Sequence, residues 1–189
     1  MADSREDEEE EIDTAAVEAS FVLLMRWLHR QPEFTPEMLA DKDVQKFIRS
    51  HAGVLDRAVD FSIHQRPIDD ISVRRLKESN YVFSGFKTFH ELNEAFPSLI
   101  DADGNRKPFE RFLNDVQKVN ETYNRWYLKT EYNFALSSAA MAARWKQWWD
   151  DEDRDRYLLQ YRTVGDKRVR EAHRALHNVT LPITSNFWD

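Results

Sequence analysis

Residues 109–149 read FERFLNDVQKVNETYNRWYLKTEYNFALSSAAMAARWKQWW. Neither proline nor glycine occurs between Phe109 and Val164. Proline would break a helix there and glycine would weaken it. Phe109, Phe112, Leu113, Val116, Val119, Tyr123, Trp126 and Tyr127 recur at the three- and four-residue steps of one helical face. The stripe continues, with smaller residues, through Phe134, Ser138, Met141, Trp145 and Trp148. The spacing predicts one very long helix, or two helices broken near Asn133. The run Ala135 to Ala143 is small enough for another helix to approach closely. The charged run Asp150 to Asp155 ends the segment.

Upstream, Val17, Phe21, Leu24, Met25 and Leu28 share a helical face that Gln31-Pro32 closes. Thr35-Pro36-Glu37 reads as an N-cap with proline at the first helical position. Val44, Phe47, Ile48, Leu55 and Val59 form a second amphipathic stretch, with an expected break near Gly53 and an end at Pro67. Ile71, Val73 and Leu76 mark a short helix. Thr88-x-x-Glu91 fits a capping box that starts another, through Phe89, Leu92 and Phe96. Asp101 to Asn105 is a turn. A twelve-residue calcium loop counted from Asp101 would put Arg106 at the required glycine and Phe112 at the required glutamate, so calcium is excluded.

Downstream, Tyr157 to Thr163 is strand-like, and a second short strand is expected near Thr180. Gly165-Asp166 makes a tight turn, because glycine reaches backbone angles that other residues resist. An amphipathic helix follows, carrying Val169, Ala172, His173 and Leu176. The fold class is therefore mainly α with a small β element (α+β). It has a long central helix and a strand-turn-helix near the C-terminus.

Residues 1–13 hold eight acids and one arginine, and they account for the net charge of −7. The remaining chain is neutral overall. Such a tail repels itself and buries no apolar surface, so it is expected to be disordered. It serves solubility, or shields the basic residues near the C-terminus. Hydrophobic content of 41% supports a core. With no cysteine, a disulfide scaffold and a cysteine metal cluster are excluded. No apolar run approaches the ~20 residues that span a bilayer, and a soluble protein without membrane contact is expected.

Seven basic residues lie between Arg154 and Arg174, against three acids. Arg162, Asp166, Arg168 and Arg170 converge on one turn. There a carboxylate among arginines fixes the backbone by bidentate bonds, or the arginines hold phosphate. The structural reading, Asp166 clamping Arg162 or Arg168, is preferred, with Arg170 facing outward. His173 and His177 are four apart and are weak metal candidates, but Arg174 stands where a metalloprotease has its glutamate. Their preferred role is to hydrogen-bond the turn. Glu131, Asn133, Arg144 and His173 would mimic an active site only if folded together. No glycine-rich phosphate loop, G-x-S-x-G or H-E-x-x-H is present. No enzyme, no cofactor and no small-molecule substrate are expected. Trp145, Trp148 and Trp149 could stack bases, but tryptophans on a helix more often serve a core or a protein interface.

The string Arg162-Thr163-x-Gly165-Asp166-x-Arg168-Val169-Arg170-x-x-His173-x-x-Leu176, then Thr180-Leu181-Pro182 and Phe187-Trp188-Asp189, resembles the C-terminal signature of the phage Mu F-like head morphogenesis proteins. Two further blocks resemble the same family, Tyr127 to Asn133 with Ala139 to Trp145, and Phe83 to Leu92. In the family a Pro-Pro-Asn segment, a tryptophan and a Cys-x-Cys pair follow. The sequence stops at Asp189, so the domain is expected to be C-terminally incomplete. No role of that pair, including a metal site shared with His173, carries over. The expected organisation is an acidic tail at 1–13, a variable helical arm at 14–75 and a Mu F-like domain at 76–189. The resemblance implies a non-enzymatic minor head protein of a phage or prophage. It would associate with the portal and assist head assembly or DNA delivery, in the virion head or at the portal vertex after assembly in the host cytoplasm. Portal and head proteins are the implied partners, with DNA contact as a further option. Glu131, Asn133, Arg144 and Trp145 would belong to a docking helix. The alternatives are the trafficking part of a toxin or transferase effector, or a nucleic-acid-binding protein using residues 162–174.

Overall fold

A computed structural model describes residues 14–188. The expectation for the acidic tail lies outside the described residues. The chain divides into two compact units, Met1–Met141 and Ala142–Asp189. Among the described residues no helix is long and apolar enough to cross a membrane.

The first unit is helical. Its first helix, α1, spans Ala15–Leu28 and buries the whole face read from the sequence. A short 3-10 turn, Pro36–Ala40, follows. Helix α2 spans Lys42–Gln65, with the Asp41 carboxylate accepting from Asp43 N at its start. It runs unbroken through Gly53, since Ala52, Val54 and Leu55 are buried around that residue and packing overrides a propensity cost of about 1 kcal/mol. Phe21 of α1 meets Phe47 of α2 edge-on at 6.3 Å.

Helix α3, Asp70–Ala95, replaces the two short helices expected there. Asp69 caps it by accepting from Ser72 N at 2.9 Å. Thr88 and Glu91 do not form a capping box. Thr88 Oγ1 donates back to Ser84 O at 2.8 Å, inside the helix, which satisfies the hydroxyl without ending the ladder. Residue 76 lies within this helix.

The segment expected as one helix, or two broken near Asn133, is interrupted earlier. Helix α4 spans Phe109–Asp115 and α5 spans Gln117–Asn120. A π-helical turn occupies Glu121–Trp126, and α6 runs over Tyr127–Asp150 with Asn133 in its interior. A π turn takes up one residue more than an α turn, so it shifts the buried face by one position. Phe112, Val116 and Val119 are buried as expected. Beyond the π turn the buried positions are Leu128, Tyr132, Ala135, Ala139 and Ala143. The residues expected on that stripe face out: Trp126 is 71% exposed, Phe134 74% and Met141 45%.

In the second unit, β1 (Leu158–Gln160) pairs antiparallel with β2 (Thr180–Pro182). Leu159 lies opposite Leu181 in the register. Between them stand the Gly165 turn and a short helix α7, Glu171–Ala175. The observed fold is mainly helical with one two-stranded sheet, as the sequence predicts.

Candidate functional site

Gly165 adopts φ +76°, a left-handed angle that a side chain resists. The chain reverses there and returns beside Tyr161, which donates N–H to Val179 O and accepts from Asn178 N, both at 2.8 Å. Asn178, at φ +71°, uses the tolerance of asparagine for that region.

Both candidate histidines serve this frame. His173 Nδ1 lies 2.6 Å from the Tyr161 hydroxyl, and the two rings stack. His177 Nδ1 accepts from Thr163 N at 3.1 Å and lies 2.8 Å from Thr163 Oγ1. Helix α7 ends at Ala175, so the two histidines do not share a helical face as the zinc spacing requires. Among the described residues no group of three or more His, Asp or Glu is placed to hold a metal.

Asp166 and Arg168 form the clamp. Arg168 Nε and a terminal nitrogen donate to Asp166 Oδ2 at 2.9 and 2.8 Å, and Arg168 N donates to Oδ1. Arg162 instead donates to the Gln160 amide oxygen at 2.9 Å. Arg170 stands at the start of α7. Among the described residues, Arg162, Lys167, Arg170 and Arg174 have no carboxylate partner. This clamp is exposed, with the Arg168 side chain 89% accessible.

A second polar assembly lies in the first unit, and sequence reading did not find it. His51, Ser84, Lys87, Thr88, Glu91 and Asn124 are buried. Lys87 Nζ lies 2.5 Å from Tyr123 O, 2.7 Å from Glu131 Oε2 and 2.7 Å from His51 Nε2. An ammonium has three hydrogens, and these three acceptors take them all. His51 Nε2 must then be unprotonated, although it also lies 3.1 Å from Glu131 Oε2. The ring hydrogen is on Nδ1 and is donated to Ser84 Oγ at 2.9 Å, while Ser84 donates to Asn80 O at 2.7 Å.

The electrostatics agree with this proton count. Burial pushes the His51 imidazole below its ordinary value, outweighing the contact with Glu131. Burial also lowers the Lys87 ammonium, opposed chiefly by the Glu131 carboxylate. For Glu131, burial works upward. The contact with His51 and the charge and bond of Lys87 outweigh it and hold the carboxyl below its ordinary value. Ser84, His51 and Glu131 have the composition of a nucleophilic triad. The Ser84 hydroxyl is fully buried, however, and its hydrogen goes to Asn80 O.

Of the tetrad considered from sequence, Glu131 belongs to this buried network and His173 to the Tyr161 pair. Asn133 and Arg144 are exposed on α6. Trp145 meets Trp148 edge-on at 5.9 Å. With Trp149, Ile183 and Trp188 it lines a cavity of about 510 Å³ in the second unit. The signal for the buried network was available. Ser84, Lys87, Thr88 and Glu91 follow steps of three, one and three, a polar stripe on one helical face, where an apolar one would be expected.

Residues 102–189 match the family model described as Phage Mu protein F like protein. No curated protein and no solved structure matches the chain.

Proposed function

Because residues 102–189 match the phage Mu F-like family model, we propose that this chain is a head morphogenesis protein that works through surfaces and not through catalysis. Its partners on this reading are the portal and neighbouring head proteins, and its place is the portal vertex of the head. The geometric observation that carries the surface reading is the outward face of the π turn and α6. Trp126, Tyr127, Phe134 and Met141 are all exposed there. Exposed aromatic anchors are what protein interfaces use, and an apolar helical face left in water marks a docking surface.

The test pairs the purified chain with a portal protein encoded in the same genome. Phe134→Asp with Met141→Asp should abolish association while leaving the melting curve unchanged. Binding that survives this double change removes α6 from the interface. Nucleotide or nucleic-acid turnover that is lost on changing His173 or Arg170 defeats the non-catalytic reading.

A second reading has its own observation. Arg162, Lys167, Arg170 and Arg174 lack carboxylate partners among the described residues, which suits contact with DNA phosphates. Arg170→Ala would then weaken DNA binding and flatten its salt dependence.

A further inference from the structure

Glu91 is fully buried on α3. The side-chain nitrogen of Asn124 lies between two oxygens, 3.1 Å from Glu91 Oε2 and 3.2 Å from Asn120 Oδ1. The asparagine oxygen of Asn120 only accepts, and so does a carboxylate. The Asn124 amide is therefore oriented with both hydrogens used. Two buried atoms then have no partner: Glu91 Oε1 and Asn124 Oδ1. Both are acceptors if Glu91 is ionised, and a buried unpaired acceptor costs its full desolvation. No hydrogen of Lys87 is left for Glu91, since three other acceptors take them.

One hydrogen resolves both orphans. We infer that Glu91 is a proton-binding site: the folded protein holds it as a neutral carboxyl whose Oε1–H donates to Asn124 Oδ1, closing a cyclic carboxyl–carboxamide pair. The pair fastens the π turn, through Asn124, to α3. The inference does not depend on the head-protein reading.

The surrounding charges divide. On α3 itself, Lys87 opposes the proton and Glu94 favours it. Across from it, Glu131 of α6 favours it, and the Asn124 bond opposes it. Tyr123 of the π turn is neutral near pH 7, and burial with the nearby Glu94 and Glu91 raises it further. His51 of α2 is neutral and turned to Lys87 and Ser84. Burial dominates, and Glu91 is raised to about 8.

The folded value lies above the unfolded one. The contribution of Glu91 to stability is therefore fully present below the ordinary carboxyl range and is lost as pH rises through about 8. The test compares the full chain with Glu91→Gln, whose amide makes the same two bonds with no titration. Relative to that variant, the unfolding constant of the wild type should rise about tenfold per pH unit between the ordinary carboxyl value and about 8. It should level off above that. Other titrating groups are common to both chains and cancel. Parallel profiles would overturn the proposal. Should Glu91→Gln not fold, a carbon-13 titration of the Glu91 carboxyl in the wild type decides the matter. A midpoint near 8 supports the proton site, and a midpoint in the ordinary carboxylate range overturns it.

Discussion

Lys87 carries its charge among packed helices because every hydrogen on its ammonium has an acceptor: Tyr123 O, Glu131 Oε2 and His51 Nε2. Lys87→Met leaves the Glu131 carboxylate, 14% exposed, without its cation. The expected loss is about 3–5 kcal/mol in urea unfolding, and a loss below about 1 kcal/mol would deny the network its role. His51 makes an acid-side prediction. Its folded value lies below the ordinary one, so its contribution is present above the unfolded value and is lost as pH falls below about 6.5. Protonation would place a hydrogen on Nε2 against Lys87. His51 should therefore give an imidazole NMR titration displaced to low pH. Asp166 is a contrasting case. Its bonds to Arg168 are short but exposed, so Asp166→Ala should cost only about 0–1 kcal/mol. A double-mutant cycle with Arg168→Ala reads that coupling directly.

At the scale of elements, the apolar periodicity of α1 and α2 was legible because core-facing residues there are continuous in phase. The strand, turn and helix around Gly165 were legible for a different reason: a glycine at φ +76° leaves few alternatives. Gly165→Ala meets no neighbouring atom, so its cost should be backbone strain alone, about 1–2 kcal/mol. The π turn was not legible. A constant helical step carries the stripe of Val116 and Val119 onto Phe134 and Met141, whereas one extra residue at Glu121–Trp126 passes it to Ala135 and Ala139. Deleting Glu121 from the π turn should leave the later faces in phase, and deleting Lys129 within α6 should rotate them out. The second deletion should therefore lower the melting temperature far more than the first. The buried cluster was hidden by the same kind of local reading. Thr88 and Glu91 match a capping box in sequence, yet they lie on the buried face of a continuous helix.

For the whole molecule, the same register shift links structure to the proposed role. It buries Ala135 and Ala139 beside Leu128 and Tyr132 and leaves Phe134 and Met141 exposed on α6, which is the face the proposed role would use. In the first unit the apolar core and the Lys87 ammonium are buried, whereas the ion pairs Arg74–Glu78, Lys77–Asp60 and Arg125–Glu18 are largely exposed. On this account a change on the outward face spares folding and removes assembly, and a change in the network does the reverse. The most direct measurement is the amount of this chain in purified phage heads, by quantitative mass spectrometry, after complementing a deletion with wild type or with Phe134→Asp and Met141→Asp. The account predicts that the wild-type chain is present in the heads, and that the folded double variant is absent from them. A double variant packaged like wild type, or heads that never contain the wild-type chain, would contradict it.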